Sequence, residues 1–127
     1  MGKYITQRDV DTYLMLQPLL AAIYHEMQEL SKKKPDSLLN AYKVKAINRI
    51  LIPLKQLMKE DDVFAFLDVL DDNVLPSNSD MVLILSQYIK ATTMYVDLHQ
   101  SYNRDIHENE WNFEPAPKPN VPQRKKK

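Results

Sequence analysis

The sequence predicts an all-α fold: a small bundle of four main helices around a long C-terminal central helix, followed by a flexible tail rich in proline and lysine. Two observations carry that prediction. Glycine is almost absent, with Gly2 alone among 127 residues, whereas tight β-hairpins draw on glycine for positive φ. Apolar residues also recur at alternating steps of three and four along most of the chain, the spacing that stacks side chains on one helical face. A composition 44% hydrophobic supplies a real core for one domain. The bundle is expected over residues 1–108 and an extended, disordered basic tail over 109–127.

The first helix is expected over 6–33. Thr6 opens it, with Asp9 three residues on in a capping-box arrangement. Tyr13, Leu16, Leu20, Ile23, Met27 and Leu30 form its seam, broadened by Val10, Leu14, Leu19 and Tyr24. Pro18 lies inside this pattern without shifting its phase, which predicts a kink. Lys32, Lys33 and Lys34 suit the negative end of the helix dipole, and Pro35 blocks continuation.

The second helix is expected over 36–59, capped by Asp36 or Ser37. Val44, Ile47, Leu51, Leu54 and Met58 make its seam, flanked by Leu39, Ile50 and Leu57, again with an internal proline, Pro53. A third, shorter helix over 62–75 is read from Val63, Phe66, Leu67, Leu70 and Val74, with acids near its positive end. The fourth, over 79–104, is expected to be the longest and the buried spine. Its stripe is Met81, Leu85, Tyr88, Thr92, Tyr95, His99 and Tyr102, and Asn78 or Ser79 is the expected cap. Past Glu108 the apolar period stops: Trp111 and Phe113 stand isolated, and Pro115, Pro117, Pro119 and Pro122 follow.

Net charge is zero, yet the charges are segregated. Lys32, Lys33, Lys34, Lys43, Lys45, Arg49, Lys55 and Lys59 face one acid, Asp36, in the stretch from Ser31 to Lys59. Glu60, Asp61, Asp62, Asp68, Asp71, Asp72 and Asp80 follow with no base before Lys90. Such a split bears on association rather than fold. Mutual neutralisation of adjacent segments is the simpler reading. An external or self partner meeting Lys45, Arg49, Lys59, Asp68, Asp71 and Asp72 is the functional one.

Several chemistries are excluded. Cysteine is absent, which removes disulfides, thiolate metal sites and a cysteine nucleophile and fits a cytoplasmic location. No apolar run reaches the length of a membrane span, and the opening residues MGKYITQRDVD lack the apolar core of a signal peptide. His25 and Glu26 begin a zinc-helix pattern but have no second histidine four residues on. No cofactor is implied. The tyrosines Tyr88, Tyr95 and Tyr102 fall at core spacing rather than on a stacking platform for bases.

The nearest approach to a catalytic motif is Asn103-Arg104-Asp105-Ile106-His107. It resembles, in shortened form, the arginine and histidine that helical ribonucleases of the HEPN class carry near the end of a long helix. It departs from that pattern in having two residues between Arg104 and His107 and in the order Asn-Arg, so no family is assigned. The resemblance implies a metal-independent ribonuclease with Arg104 holding phosphate and His107 moving a proton. Arg124, Lys125, Lys126 and Lys127 offer weak, salt-sensitive contact with nucleic acid. The function the sequence favours is a non-catalytic, cytoplasmic protein-protein interaction module, an adaptor or homodimer working through charged and apolar helix faces.

Overall fold

The computed structural model describes residues 4–113. It is mainly helical, with three α-helices and a two-stranded hairpin in place of a four-helix bundle. Helix α1 spans Gln7–Lys33, α2 spans Ala41–Leu57 and α3 spans Asn78–His99. Strand β1 (Gln100–Asn103) pairs antiparallel with β2 (Glu108–Trp111), Gln100 opposite Trp111 and Asn103 opposite Glu108.

Helix α1 starts with a reciprocal cap. The Asp9 amide donates to Thr6 Oγ1 at 3.1 Å and the Thr6 amide donates to Asp9 Oδ2 at 3.0 Å, so two otherwise orphaned donors are satisfied together. The helix runs unbroken through Pro18, as α2 does through Pro53. Pro18 lies on the exposed side, where curvature away from solvent-side carbonyls is least costly. With 27 residues against 22, α1 rather than α3 is the longest helix.

Helix α2 begins later than its composition predicts, after its cap Asn40, whose side chain accepts from the Lys43 amide at 2.8 Å. The preceding residues are committed elsewhere. The Leu39 amide donates to the Pro76 carbonyl, and the Asn78 and Ser79 amides donate to the carbonyls of Ser37 and Pro35. Asn78 Nδ2 adds a bond to the Lys34 carbonyl at 2.8 Å. These bonds tie the α1–α2 connection to the entry of α3. Asn78 is therefore a buried tie, and Ser77 is the cap, accepting from the Asp80 amide.

The third helix expected over 62–75 is not formed. A single 3-10 turn, Asp62–Phe66, is followed by an extended stretch. Side chains from both neighbouring helices take the backbone groups a helix would have used. Asn48 on α2 donates its amide to the Leu70 carbonyl at 2.7 Å and accepts from the Leu70 amide at 3.1 Å. Tyr88 on α3 donates its hydroxyl to the Asp68 carbonyl at 2.8 Å. Valine and aspartate resist a helix only weakly, so two tertiary anchors suffice to win.

The core lies between the three helices. Leu20, Val44, Leu51, Leu54, Met81, Leu85 and Tyr88 are fully buried. The α3 stripe is buried from Met81 through His99. Tyr102 leaves it, 57% exposed on β1, because the helix stops at His99.

The hairpin is the second departure. Its turn uses no glycine: Asn103 Oδ1 accepts from the Asp105 amide at 2.8 Å, and His107 takes the left-handed conformation at φ 54. Asparagine turns of this kind replace what glycine would provide. Residues 109–113 are thus built into the fold rather than a tail, and the rest of that segment, 114–127, lies outside the described residues. Trp111 packs edge-on against Tyr13 with ring centroids 5.5 Å apart. The Ile5 amide then donates to the Asn112 carbonyl at 3.1 Å, so the two ends of the described segment meet.

Asn48→Ala removes both side-chain bonds to Leu70 from a half-buried site, which costs about 1–3 kcal/mol of unfolding free energy. Urea denaturation and hydrogen exchange check it: the Leu70 amide should lose its protection selectively. Unchanged exchange at Leu70 would show that the extended stretch is held by something else.

Candidate functional site

A cleft of about 530 Å³ lies where the N-terminal segment, α1, α2 and the end of α3 converge. Tyr4 and Ile5 contribute from the segment before α1, Asp9 and Thr12 from its first turns, and Ile52, Pro53, Gln56 and Leu57 from the last turns of α2. Lys59, Glu60 and Asp61 follow on the connection, and His99 closes the inner end. Bringing these together depends on three features: the capping box that fixes the start of α1, the tight turn after Met58, and the stop of α3 at His99.

The inner end is polar and buried. His99 is 3% exposed and Asp61 6%, and the His99 Nε2 lies 3.3 and 3.4 Å from the two carboxylate oxygens of Asp61. An ionised carboxylate only accepts, so Nε2–H donates. The His99 ring lies 4.6 Å from Tyr95, which stacks on Tyr13 at 5.7 Å and tilts against Trp111 at 6.2 Å. This aromatic wedge backs the cleft and couples it to the hairpin.

The Tyr95 hydroxyl is the one buried side-chain polar atom, among the described residues, that has no hydrogen-bond partner. Burial first, then the nearby carboxylates of Asp9 and Asp61 and the Tyr13 hydroxyl, push its pKa well above the ordinary tyrosine value. Burial and the Asp68 carboxylate raise Tyr88 in the same direction, and burial raises Tyr13. All three remain neutral phenols across the physiological range.

The residues singled out in the sequence are dispersed. Lys45 and Asp72 lie 3.5 Å apart, joining the basic block to the acidic one. Lys55 sits over the Phe64 ring at 4.8 Å. Asp71 caps its own loop by accepting from the Asn73 amide, and the Asp68 carbonyl holds Tyr88. Arg49 is exposed on α2, and Lys59 lines the cleft. Arg104 and His107 do not share a helix face: both are exposed in the hairpin turn, where His107 Nδ1 lies 3.2 Å from the Tyr102 hydroxyl. The geometry that motivated the nuclease comparison, two side chains one turn apart on a helix, is replaced by a surface turn. Arg124, Lys125, Lys126 and Lys127 lie outside the described residues.

Sequence reasoning missed the Asp61–His99 pair because nothing local connects residues 38 positions apart. The one available signal was His99 itself, an ionisable group inside an apolar stripe, which demands a buried partner. Among the described residues, no three His, Cys, Asp or Glu side chains are grouped to hold a metal ion, and no helix is long and apolar enough to cross a membrane. No family model, curated protein or solved structure matches the chain.

The raised tyrosines give the fold an alkaline limit. Because the folded chain keeps the Tyr88 and Tyr95 protons beyond pH 10.0, where an unfolded tyrosine releases them, their contribution is intact below that pH. It is lost as pH rises toward the folded values. Unfolding free energy should decline above pH 10.0, with a shallower decline in Tyr95→Phe. A flat profile, or the same slope in both proteins, would contradict this.

Proposed function

We propose that this chain is a cytoplasmic, non-catalytic interaction module that self-associates through the outer face of α1. The observation that carries the reading is an uncovered apolar face. From Tyr13 to Tyr24, Gln17 is the only polar residue apart from the tyrosine hydroxyls. One side of that stretch, with Leu16 and Leu20, is buried against the bundle. On the other, Leu14, Met15 and Leu19 remain 57%, 62% and 47% exposed, with Pro18 and Ala22 exposed between and beyond them. A helix apolar all round is normally covered all round, and the monomer covers only half of this one.

Positions 14, 15, 18, 19 and 22 form one stripe, with Arg8 and Asp11 at one end and His25, Glu26 and Glu29 at the other. A second copy crossing antiparallel near Pro18 presents the same patch to itself, as a two-fold interface requires. It also turns Arg8 toward the acids at the far end of its neighbour. Covering Leu14, Met15 and Leu19 is worth on the order of 1 kcal/mol each per copy. After association costs, that supports a reversible dimer rather than an obligate one. The charged residues Lys45 and Asp72 satisfy each other and contribute less to this reading than the apolar stripe.

Sedimentation velocity across the micromolar to millimolar range tests it. Wild type should shift from monomer toward dimer, and Leu19→Glu, at a site already exposed, should remain a folded monomer throughout. A wild-type monomer at every concentration, or equal association of the two proteins, would overturn the proposal.

A further inference from the structure

Two adjoining depressions, of about 340 and 210 Å³, lie between α3 and the 3-10 turn, and Val63 and Met94 line both of them. Together they make one groove. Its α3 wall is formed by Gln87, Ala91, Met94 and Leu98, at steps of four, three and four. That is the spacing into which a second helix sets its side chains. The groove is apolar and open: Phe66 on the opposite wall is 73% exposed, and Met94 and Leu98 are exposed as well. From Gln87 to Leu98 is roughly 16 Å at the helical rise per residue, room for about three turns of a partner. None of these residues belongs to the α1 stripe, so the groove is independent of self-association.

Charge selects the occupant and its direction. Asp62 and Asp97 stand exposed at one end of the groove, and Lys90 stands exposed toward the other. None of the three is in an ion pair among the described residues. Asp61, also at the acidic end, already holds His99. Strand addition requires a free sheet edge, whereas this lining comes from α3, the 3-10 turn and its flanking residues. We propose that the groove receives an amphipathic helix of a partner protein, antiparallel to α3, with basic residues in its first turn beside Asp62 and Asp97. The positive end of that helix then meets the two carboxylates and the negative end of α3, and its last carbonyls lie toward Lys90. Apolar side chains one and two turns further along enter the two depressions, as in other helix-in-groove complexes.

The probe is a helical alanine-glutamine peptide of about 16 residues, long enough to hold some helix alone. It carries two lysines in its first turn and then one phenylalanine and two leucines at helical spacing. Titrated into the full chain, it should move the amides of Val63, Ala91 and Met94 saturably. The same peptide with glutamates in place of its lysines should bind a few-fold more weakly, with the difference shrinking at high salt. Asp97→Lys should reverse that preference, and it keeps the fold because a cation suits the last turn of α3. Met94→Glu, at an exposed position, should weaken binding at least about tenfold with thermal stability unchanged. A spin label at the lysine end of the peptide should broaden Asp97 more than Gln87. Shifts that do not saturate, equal affinity for the two peptides, or no reversal in Asp97→Lys would overturn the proposal, as would a label that broadens Gln87 more. Movement of the same amides with protein concentration alone would assign the groove to a second copy and overturn it too. So would the same shifts on adding a peptide of residues 114–127 when the helical probe gives none.

Discussion

The buried contact between Asp61 and His99 joins parts of the chain that helix packing alone would leave loosely connected. Asp61 belongs to the turn after α2, and His99 is the last residue of α3. Desolvating a carboxylate is expensive, and a buried pair repays that cost only when its geometry is good. Such a pair therefore adds little net stability over an apolar substitute. It contributes definition, because alternative placements of the turn would leave a charge buried without its imidazole donor. From His99 the restraint spreads outward. Its carbonyl accepts from the Asn112 amide at 2.7 Å, and the Asn112 carbonyl accepts from Ile5. Its ring supports Tyr95, and Tyr95 supports Tyr13 and Trp111. The hairpin, the segment before α1 and the cleft between them all hang on that one end of α3.

A second theme is competition for backbone groups. The stretch between α2 and α3 has enough apolar residues for a helix, yet Asn48, Tyr88 and the paired connections around Leu39 and Pro76 claim its donors and acceptors. Each such bond is worth about 1 kcal/mol net, comparable to the whole propensity difference of a short helix. Local preference was too small a term to decide the outcome. The extended stretch in turn lays the acidic block beside α2, where Asp72 meets Lys45. Charge segregation in the sequence thus finds an internal outlet in at least that pair.

The long periodic elements were legible because burial enforces their spacing: Val44, Ile47, Leu51, Leu54 and Met58 are all buried, as their intervals require. So was the Thr6–Asp9 cap, which is a local pattern. The failures share one cause, dependence on distant partners. Nothing near Leu70 announces Asn48, and nothing near His107 announces a hairpin turn without glycine. Trp111 looked isolated because the surface it covers, Tyr13 and Tyr95, lies far away in sequence. Leu14 and Leu19 were read as core from their period, and their exposure is the mismatch on which the proposed self-association rests. Of the cleft, only His99 was visible beforehand as a polar group inside a buried stripe.

If the Asp61–His99 contact holds this end of the molecule together, its influence must reach amides that neither residue touches. Native-state hydrogen exchange of Ile5, Tyr102 and Leu85, compared between wild type and Asp61→Asn, tests this directly. The account predicts strong protection of Ile5 in wild type, and its loss in the variant while Leu85, deep in α3, stays protected. Ile5 exchanging at a free-chain rate in wild type, or equally protected in both proteins, would contradict it.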